Sequence, residues 1–340
     1  MKCQIQEYVS LAPLTTLGVG GTARFFVEAL SETDIKDAIA YARECGLPLR
    51  PLGRGSNVLV PDTGVADVVL KMSMRDITFE NLGEDVLLIA DAGALWENVI
   101  DSVAERHLFG IENLAGIPGT VGGASVQNIG AYGTEIKDAF EYADVINSAT
   151  GLSRRISRAE AMFGYRTSHF KEHREDIIIR VGLRLTKSAV PNIAYADLVR
   201  AQADGAVLTT PQQIVSAVRT IRASKFPQNI FEGTAGSFFK NPVIAREIAE
   251  ILAKRFPDMP MFPNKNGTVK ISLAWLLDHG LSLKGFSMGR ARLYENHSLV
   301  IVASEGALAA EIDALAHEVV ERVRIATGII IEREVETFGG

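Results

Sequence analysis

Cysteine is nearly absent: the 340 residues hold two, Cys3 and Cys45. Two thiols make no disulfide framework, and neither has a His or a second Cys in a metal or redox spacing, so both read as small structural residues. Long apolar runs are lacking as well. None approaches the roughly 18–20 residues that a membrane span needs, and the opening MKCQIQEYVSLAPL has neither the charged start nor the continuous apolar core of a signal peptide. A basic excess is missing too. The chain carries 35 Lys+Arg against 41 Asp+Glu, a net charge of −6, whereas a general nucleic-acid binder shows a basic patch or stripe. The six His show no spacing of the H-E-x-x-H kind. His169 and His173 are four apart but have no evident third ligand, so no metal is expected. These absences point to a cytoplasmic protein with no nucleic acid and no membrane as partner. At 47% hydrophobic and 22% charged, the chain has an ordinary globular composition and is long enough for two or three domains.

What the chain does have is a Gly-rich stretch at residues 111–133, IENLAGIPGTVGGASVQNIGAYG, whose one charge is Glu112. It has neither helical nor alternating periodicity. A loop this long inside a compact domain is functional or disordered. Ile111, Leu114, Ile117, Val121, Val126 and Ile129 carry too much apolar surface for disorder. An ordered Gly-rich loop must satisfy its own backbone groups, and glycine lets a backbone approach a ligand closely. The stretch therefore reads as a loop laid against a flat or phosphorylated cofactor, or else as a Gly-rich turn packed on a sheet.

Elsewhere the local signals are conventional. Residues 14–21, LTTLGVGG, invite a dinucleotide-binding reading, but no strand precedes them and the strand-like ARFFVEAL follows, so that reading fails. Ser31 to Asp34 open a helix with Ile35, Ala38, Ile39 and Ala42 inward, stopped at Gly46. Between the short apolar runs 47–52 and 57–60, Gly53-Arg54-Gly55-Ser56-Asn57 suits either an anion nest or a plain tight turn. Strands are expected at 65–72, 86–92 and 177–185, a hairpin at 141–157, and a helix at 96–107. Thr210-Pro211-Gln212-Gln213 starts another helix, running to about Ser224. Further helices are expected at 243–255, 273–279 and 307–326, then a terminal strand, IIIEREVETF. Alternation in that strand puts Glu332 and Glu334 on one face.

Three residues stand out chemically. Arg166, in Gly164-Tyr165-Arg166, has the bidentate fork that suits a carboxylate. Ser237, in GSFFKNP, has no His or Lys at local triad spacing, so a hydrolase nucleophile is unsupported. Asn241, in the same motif, sits where it could cap a helix beginning after Pro242. Glu334 precedes Val335 near the end of the chain.

The order of GRGSNVL, GIENLAGIPGTVGGASVQNIGAYG, GYR, GSFFKNP and the final Glu334-Val335 resembles the UDP-N-acetylenolpyruvoylglucosamine reductase family, over nearly the whole chain. The resemblance implies an α+β fold of the vanillyl-alcohol-oxidase (PCMH-like) type with a separate α+β substrate domain. It divides the chain into residues 1–75 and 76–215 as two FAD-binding subdomains, 216–327 as the substrate domain, and 328–340 as a terminal strand returning to the site. It implies FAD as cofactor and NADPH as co-substrate, in a monomer. Gly53, Arg54, Gly55, Ser56, Asn57, Ile117, Pro118, Gly119, Thr120, Gly122, Gly123, Gln127, Asn128, Gly130 and Tyr132 would hold the FAD. Arg166 would meet the enolpyruvyl carboxylate with Glu334, and Ser237 would be the general acid. Tyr165, Tyr195, Lys225, Asn241, Lys284 and His297 would contact the UDP-sugar. Two positions depart from the family pattern: Thr15 stands where Asn is usual, and Glu336 stands where Arg is frequent. Two rivals stay open: a flavin oxidase of the same fold acting on a small alcohol or lactone, and a non-catalytic nucleotide-sugar-binding protein.

Overall fold

The computed structural model describes residues 3–229 and 231–339. They form two compact units: residues 1–9, 23–54 and 66–223 make one, and residues 10–22, 55–65 and 224–340 the other. This differs from the four consecutive segments drawn from the sequence. Residues 10–22 and 55–65 join the C-terminal unit because their partners lie there: Thr234 N donates to Thr16 O at 2.9 Å, and Glu336–Thr337 pairs in parallel with Val58–Leu59.

The first unit contains a four-stranded sheet, in the order Ile5–Ser10, Thr22–Ala29, Val65–Met72, Leu49–Leu52, and a five-stranded one. The second sheet runs Ser153–Ser157, Phe140–Asn147, Asp176–Thr186, Asp85–Asp91, Ile77–Leu82, antiparallel throughout. The expected strands and hairpin are present. Asp176–Thr186 is central and buried along most of its length, which explains its near-continuous apolar sequence. Helix Glu32–Glu44 starts as expected: Ser31 accepts a hydrogen bond from Asp34 N, and Ile35, Ala38, Ile39 and Ala42 are buried. Helix Pro211–Lys225 opens on Gln213, whose Oε1 accepts from the amides of Thr209 and Thr210 at 3.0 and 3.1 Å. Its Ile214 and Val218 enter the core. Helix Trp96–Glu105 buries Trp96 completely, and the Trp96 indole N–H donates to Leu114 O at 3.0 Å, which pins the start of the Gly-rich stretch.

The second unit has a four-stranded sheet ordered Gly233–Ser237, His297–Ala303, Ala291–Tyr294, Ser287–Met288. Helix Ala309–Thr327 packs on it through Ile312, Leu315, Ala316, Val319 and Val323, spaced at the helical period. Its N-terminal residue Leu308 has no polar side chain to cap with. Asp62 does the work from 247 residues away, accepting from Ala309 N and Ala310 N at 2.9 Å each. Asp62→Ala is expected to cost about 1–2 kcal/mol through the lost cap and lost charge at the helix N-terminus. Thermal unfolding of the variant should fall by a few degrees; an unchanged midpoint would show that the cap is not needed.

Three expected elements differ here in extent or type. The helix expected at 243–255 begins only at Arg246, because Val243–Ala245 pairs as a strand with Thr268–Ile271. The helix at 273–279 lasts one turn, Leu273–Trp275, and then widens into a π turn at Leu276–Gly280. The terminal strand is also shorter: an isolated bridge joins Arg333 to Phe239, the chain bends at Glu334 and Val335, and regular pairing resumes at Glu336–Thr337. Among the described residues no helix is long and apolar enough to cross a membrane.

Candidate active site

In the first unit the Gly-rich stretch is more regular than its sequence suggests. Glu112–Leu114 forms a 3-10 turn, and Val121–Gln127 is a helix despite Gly122 and Gly123. Thr120 caps it, accepting from Gly123 N at 3.4 Å. Val121 N and Gly122 N donate to Ala94 O and Ala92 O. The segment therefore lies bonded along the edge of neighbouring backbone rather than as an irregular loop. Ile117 and Pro118 are left half-buried and exposed, and Gly119 O accepts from Trp96 N.

The turn at Gly53 meets this helix start. A Cβ built on Gly53 would lie 2.5 Å from Thr120 Oγ1. The Lys71 ammonium donates to Gly53 O, and burial, then Arg75, pull the Lys71 pKa below its ordinary value. Sequence reasoning missed Lys71, since a lone Lys in a strand carries no local signal. Gln127 is buried; its Oε1 accepts from Lys171 Nζ at 2.9 Å, while its Nε2 has no partner among the described residues. A backbone cradle too tight for a side chain and an unpaired buried amide fit a close-lying polar cofactor such as FAD.

Past that helix, Asn128 adopts left-handed backbone at φ 45°, and its amide donates to Gly164 O at 2.8 Å. Arg166 answers from the other side, donating to Asn128 O at 3.3 Å and Gly130 O at 2.8 Å. The structure thus joins two expected cofactor residues to the expected carboxylate clamp, and these bonds orient the guanidinium fork. The Tyr165 ring is partly exposed, 5.4 Å from that guanidinium. Tyr132 is buried and meets Tyr195 edge to face, centroids 5.3 Å apart. Burial raises the pKa of both phenols.

In the second unit, Ser237 ends strand Gly233–Ser237, opposite Val300. The next two residues, Phe238 and Phe239, are buried in the core and fix the strand end. Glu334 N donates to Phe238 O at 2.8 Å, so the bend in the terminal segment brings Glu334 beside the Ser237 strand. Asn57 joins them: its Nδ2 donates to Glu334 O at 3.1 Å, and its carbonyl accepts from Glu336 N. Glu332, which alternation placed on the same face as Glu334, instead pairs with Lys240 at 2.8 Å and is exposed. Thr16 is a further residue the sequence reading passed over. Its amide donates to Gly55 O, and its buried Oγ1 has no partner among the described residues.

The remaining expected contacts are dispersed. Asn241 does not cap the helix that follows it; its Oδ1 accepts from Leu273 N at 3.0 Å, and Ala245 is the N-cap of Arg246–Arg255. Lys284 lies 3.7 Å from Asp278. His297 Nδ1 accepts from Leu299 N at 3.3 Å, and its ring is 6.0 Å from Phe226. Lys225 closes helix Pro211–Lys225.

Known proteins resemble this chain over nearly its whole length. Residues 23–157 match the model of an FAD binding domain, and residues 227–338 match that of the UDP-N-acetylenolpyruvoylglucosamine reductase C-terminal domain. The chain is 38% identical to the UDP-N-acetylenolpyruvoylglucosamine reductase of Pseudomonas aeruginosa, covering 99% of this chain and 100% of that one. It is 36% identical to the Escherichia coli enzyme, covering 97% and 96%. Among solved structures, the Thermus caldophilus reductase superposes with a TM-score of 0.70 at 28% identity, over 98% and 99% of the two chains. The 6-hydroxy-D-nicotine oxidase of Arthrobacter nicotinovorans, at 13% identity and a TM-score of 0.53 over 97% and 87%, shares the fold alone. The α+β flavin-binding fold with a separate C-terminal domain is the one expected, and this chain belongs to the UDP-N-acetylenolpyruvoylglucosamine reductase family.

Proposed function

We propose that this protein reduces the enolpyruvyl group of UDP-N-acetylenolpyruvoylglucosamine to the lactyl ether of UDP-N-acetylmuramate, in peptidoglycan precursor synthesis, with NADPH as the electron source. Gly53–Asn57 and the 117–132 segment would hold FAD, which would supply the hydride-transfer chemistry that links NADPH to C3 of the substrate. Arg166 would bind the substrate carboxylate through its fork. Hydride arrival at C3 leaves the electron pair at C2, delocalised into that carboxylate, and Glu334 with Arg166 would polarise it. Ser237 would then give its hydroxyl proton to C2. A hydroxyl is a weak acid, but this acceptor is a strong base and supplies the driving force. Tyr165, Tyr195, Lys225, Asn241, Lys284 and His297 would bind the sugar nucleotide. The enzyme would work as a monomer in the cytoplasm, where Cys3 and Cys45 stay reduced.

The observation that carries this reading is the hydrogen bond from Glu334 N to Phe238 O, which sets a carboxylate-bearing residue beside the strand of Ser237. The test is the visible spectrum of the purified protein. Flavin bands should bleach on anaerobic NADPH and return on adding the enolpyruvyl UDP-sugar. Recovery only with oxygen would favour an oxidase. A protein that takes up no flavin would sink the cofactor assignment.

A further inference from the structure

Arg222 lies in helix Pro211–Lys225, outside every motif that carries the family resemblance and outside both matched domain models. Its side chain nevertheless touches the Gly-rich stretch near both ends. Nε donates to Gly116 O at 2.9 Å, and the guanidinium also bonds the Tyr132 hydroxyl. Burial of this cation pulls its pKa down. Glu97 stabilises the same corner, accepting from Gly116 N with one oxygen and from Arg219 with the other. An arginine partly removed from water is retained at a cost unless its planar donor set holds something in place.

What it holds is Tyr132, and Tyr132 is where Tyr195 rests, edge to face at 5.3 Å. The backbone repeats the link. Asn113 Nδ2 donates to Tyr132 O at 2.8 Å and to Asn192 O at 2.7 Å, and Asn192 Nδ2 donates to Gly133 O at 3.0 Å. The chain is thus pinned at Asn192, three residues before Tyr195, and the Tyr195 ring, 46% exposed, is located by its contact with Tyr132.

We infer that Arg222 is a positioning residue for substrate binding: by fixing the Tyr132 ring it pre-orders Tyr195, so that less conformational freedom is lost when the sugar nucleotide binds. This rests on Tyr195 being a substrate residue, as proposed above. The test uses flavin-loaded enzyme and three variants, Arg222→Met, Arg222→Lys and Tyr132→Phe. The last keeps the ring and removes only the hydroxyl. Arg222→Met should raise KM for the enolpyruvyl UDP-sugar about tenfold, the scale of one charge-assisted hydrogen bond. In the two Arg222 variants flavin bleaching at saturating NADPH should change less than about twofold, since that step does not use the sugar-nucleotide contacts. Tyr132→Phe should give the same KM shift, Arg222→Lys a smaller one, and the Arg222→Met/Tyr132→Phe double variant no more than either alone. A purely structural role would lower the yield of active enzyme and leave KM unmoved. An unchanged or lowered KM in Tyr132→Phe, or additive shifts in the double variant, would overturn the inference while the wild type still turned over the UDP-sugar. A wild type inert toward that substrate would remove the functional reading and this inference together.

Discussion

Ser237→Ala is expected to leave flavin bleaching by NADPH nearly intact and to slow recovery of the flavin bands by the enolpyruvyl UDP-sugar by roughly 10²–10⁴-fold, the usual contribution of a positioned general acid. The asymmetry follows from the chemistry. In the proposed mechanism no proton would be needed from Ser237 until an electron pair develops at C2, after the sugar nucleotide has accepted hydride. The structure makes the substitution a clean one. Ser237 is held by its neighbours more than by its own side chain: Phe238 N donates to Leu299 O at 2.7 Å, and the Phe238 and Phe239 rings are buried. Removing one oxygen should leave the strand and the Glu334 attachment in place. Ser237→Cys, which keeps a dissociable proton, should recover part of the lost rate. Stopped-flow absorbance separates the two half-reactions. A variant slowed equally in both would place Ser237 in cofactor geometry instead, and a variant slowed in neither would remove it from the chemistry.

Gly55→Ala is expected to cost most of the FAD affinity. Gly55 has φ +65°, a left-handed backbone that costs a residue with a Cβ about 1–2 kcal/mol. The new Cβ would also lie 2.6 Å from Leu14 O and 2.8 Å from Thr15 Cα, which are backbone atoms of the 3-10 turn Ala12–Leu14 and its cap and cannot rotate away. The turn must therefore shift, carrying Ser56 and Asn57 with it. A rise in the FAD dissociation constant of roughly a hundredfold corresponds to about 2.7 kcal/mol, the sum of backbone strain and displaced contacts. Gly46→Ala is the control. Gly46 also has φ +65°, but a Cβ there meets nothing within 4 Å. It should lower stability by about 1 kcal/mol and leave FAD titration unchanged. Equal FAD affinity in Gly55→Ala and the wild type would mean that this turn does not hold the cofactor.

Legibility from sequence tracked the range of the interaction concerned. The helix at Glu32–Glu44 could be read because its cap and its apolar stripe lie within one segment. The helix Val121–Gln127 could not. Two glycines each weaken a helix by about 1 kcal/mol, and what outweighs them is the Thr120 cap together with bonds to Ala92 and Ala94. Val243–Ala245 reads as helix by its surroundings and is a strand because Thr268–Ile271 pairs with it. Lys71 and Arg222 were invisible for the same reason: each side chain donates to a backbone carbonyl far along the chain, and one polar residue leaves no pattern.

The sequence by itself determined the chemistry on offer: an acidic chain with few thiols, no membrane-length apolar run, a Gly-rich stretch suited to a flat cofactor, and Arg166, Ser237 and Glu334 in recognisable motifs. Tertiary structure alone decided how those groups are held. It bent the terminal segment at Glu334 so that its amide reaches Phe238, turned Arg166 onto the carbonyls of Asn128 and Gly130, and capped Ala309–Thr327 with Asp62. Composition and periodicity are sums over neighbours in sequence, whereas each of these hydrogen bonds joins a pair distant in sequence and forms only when the core of its own unit has placed both ends.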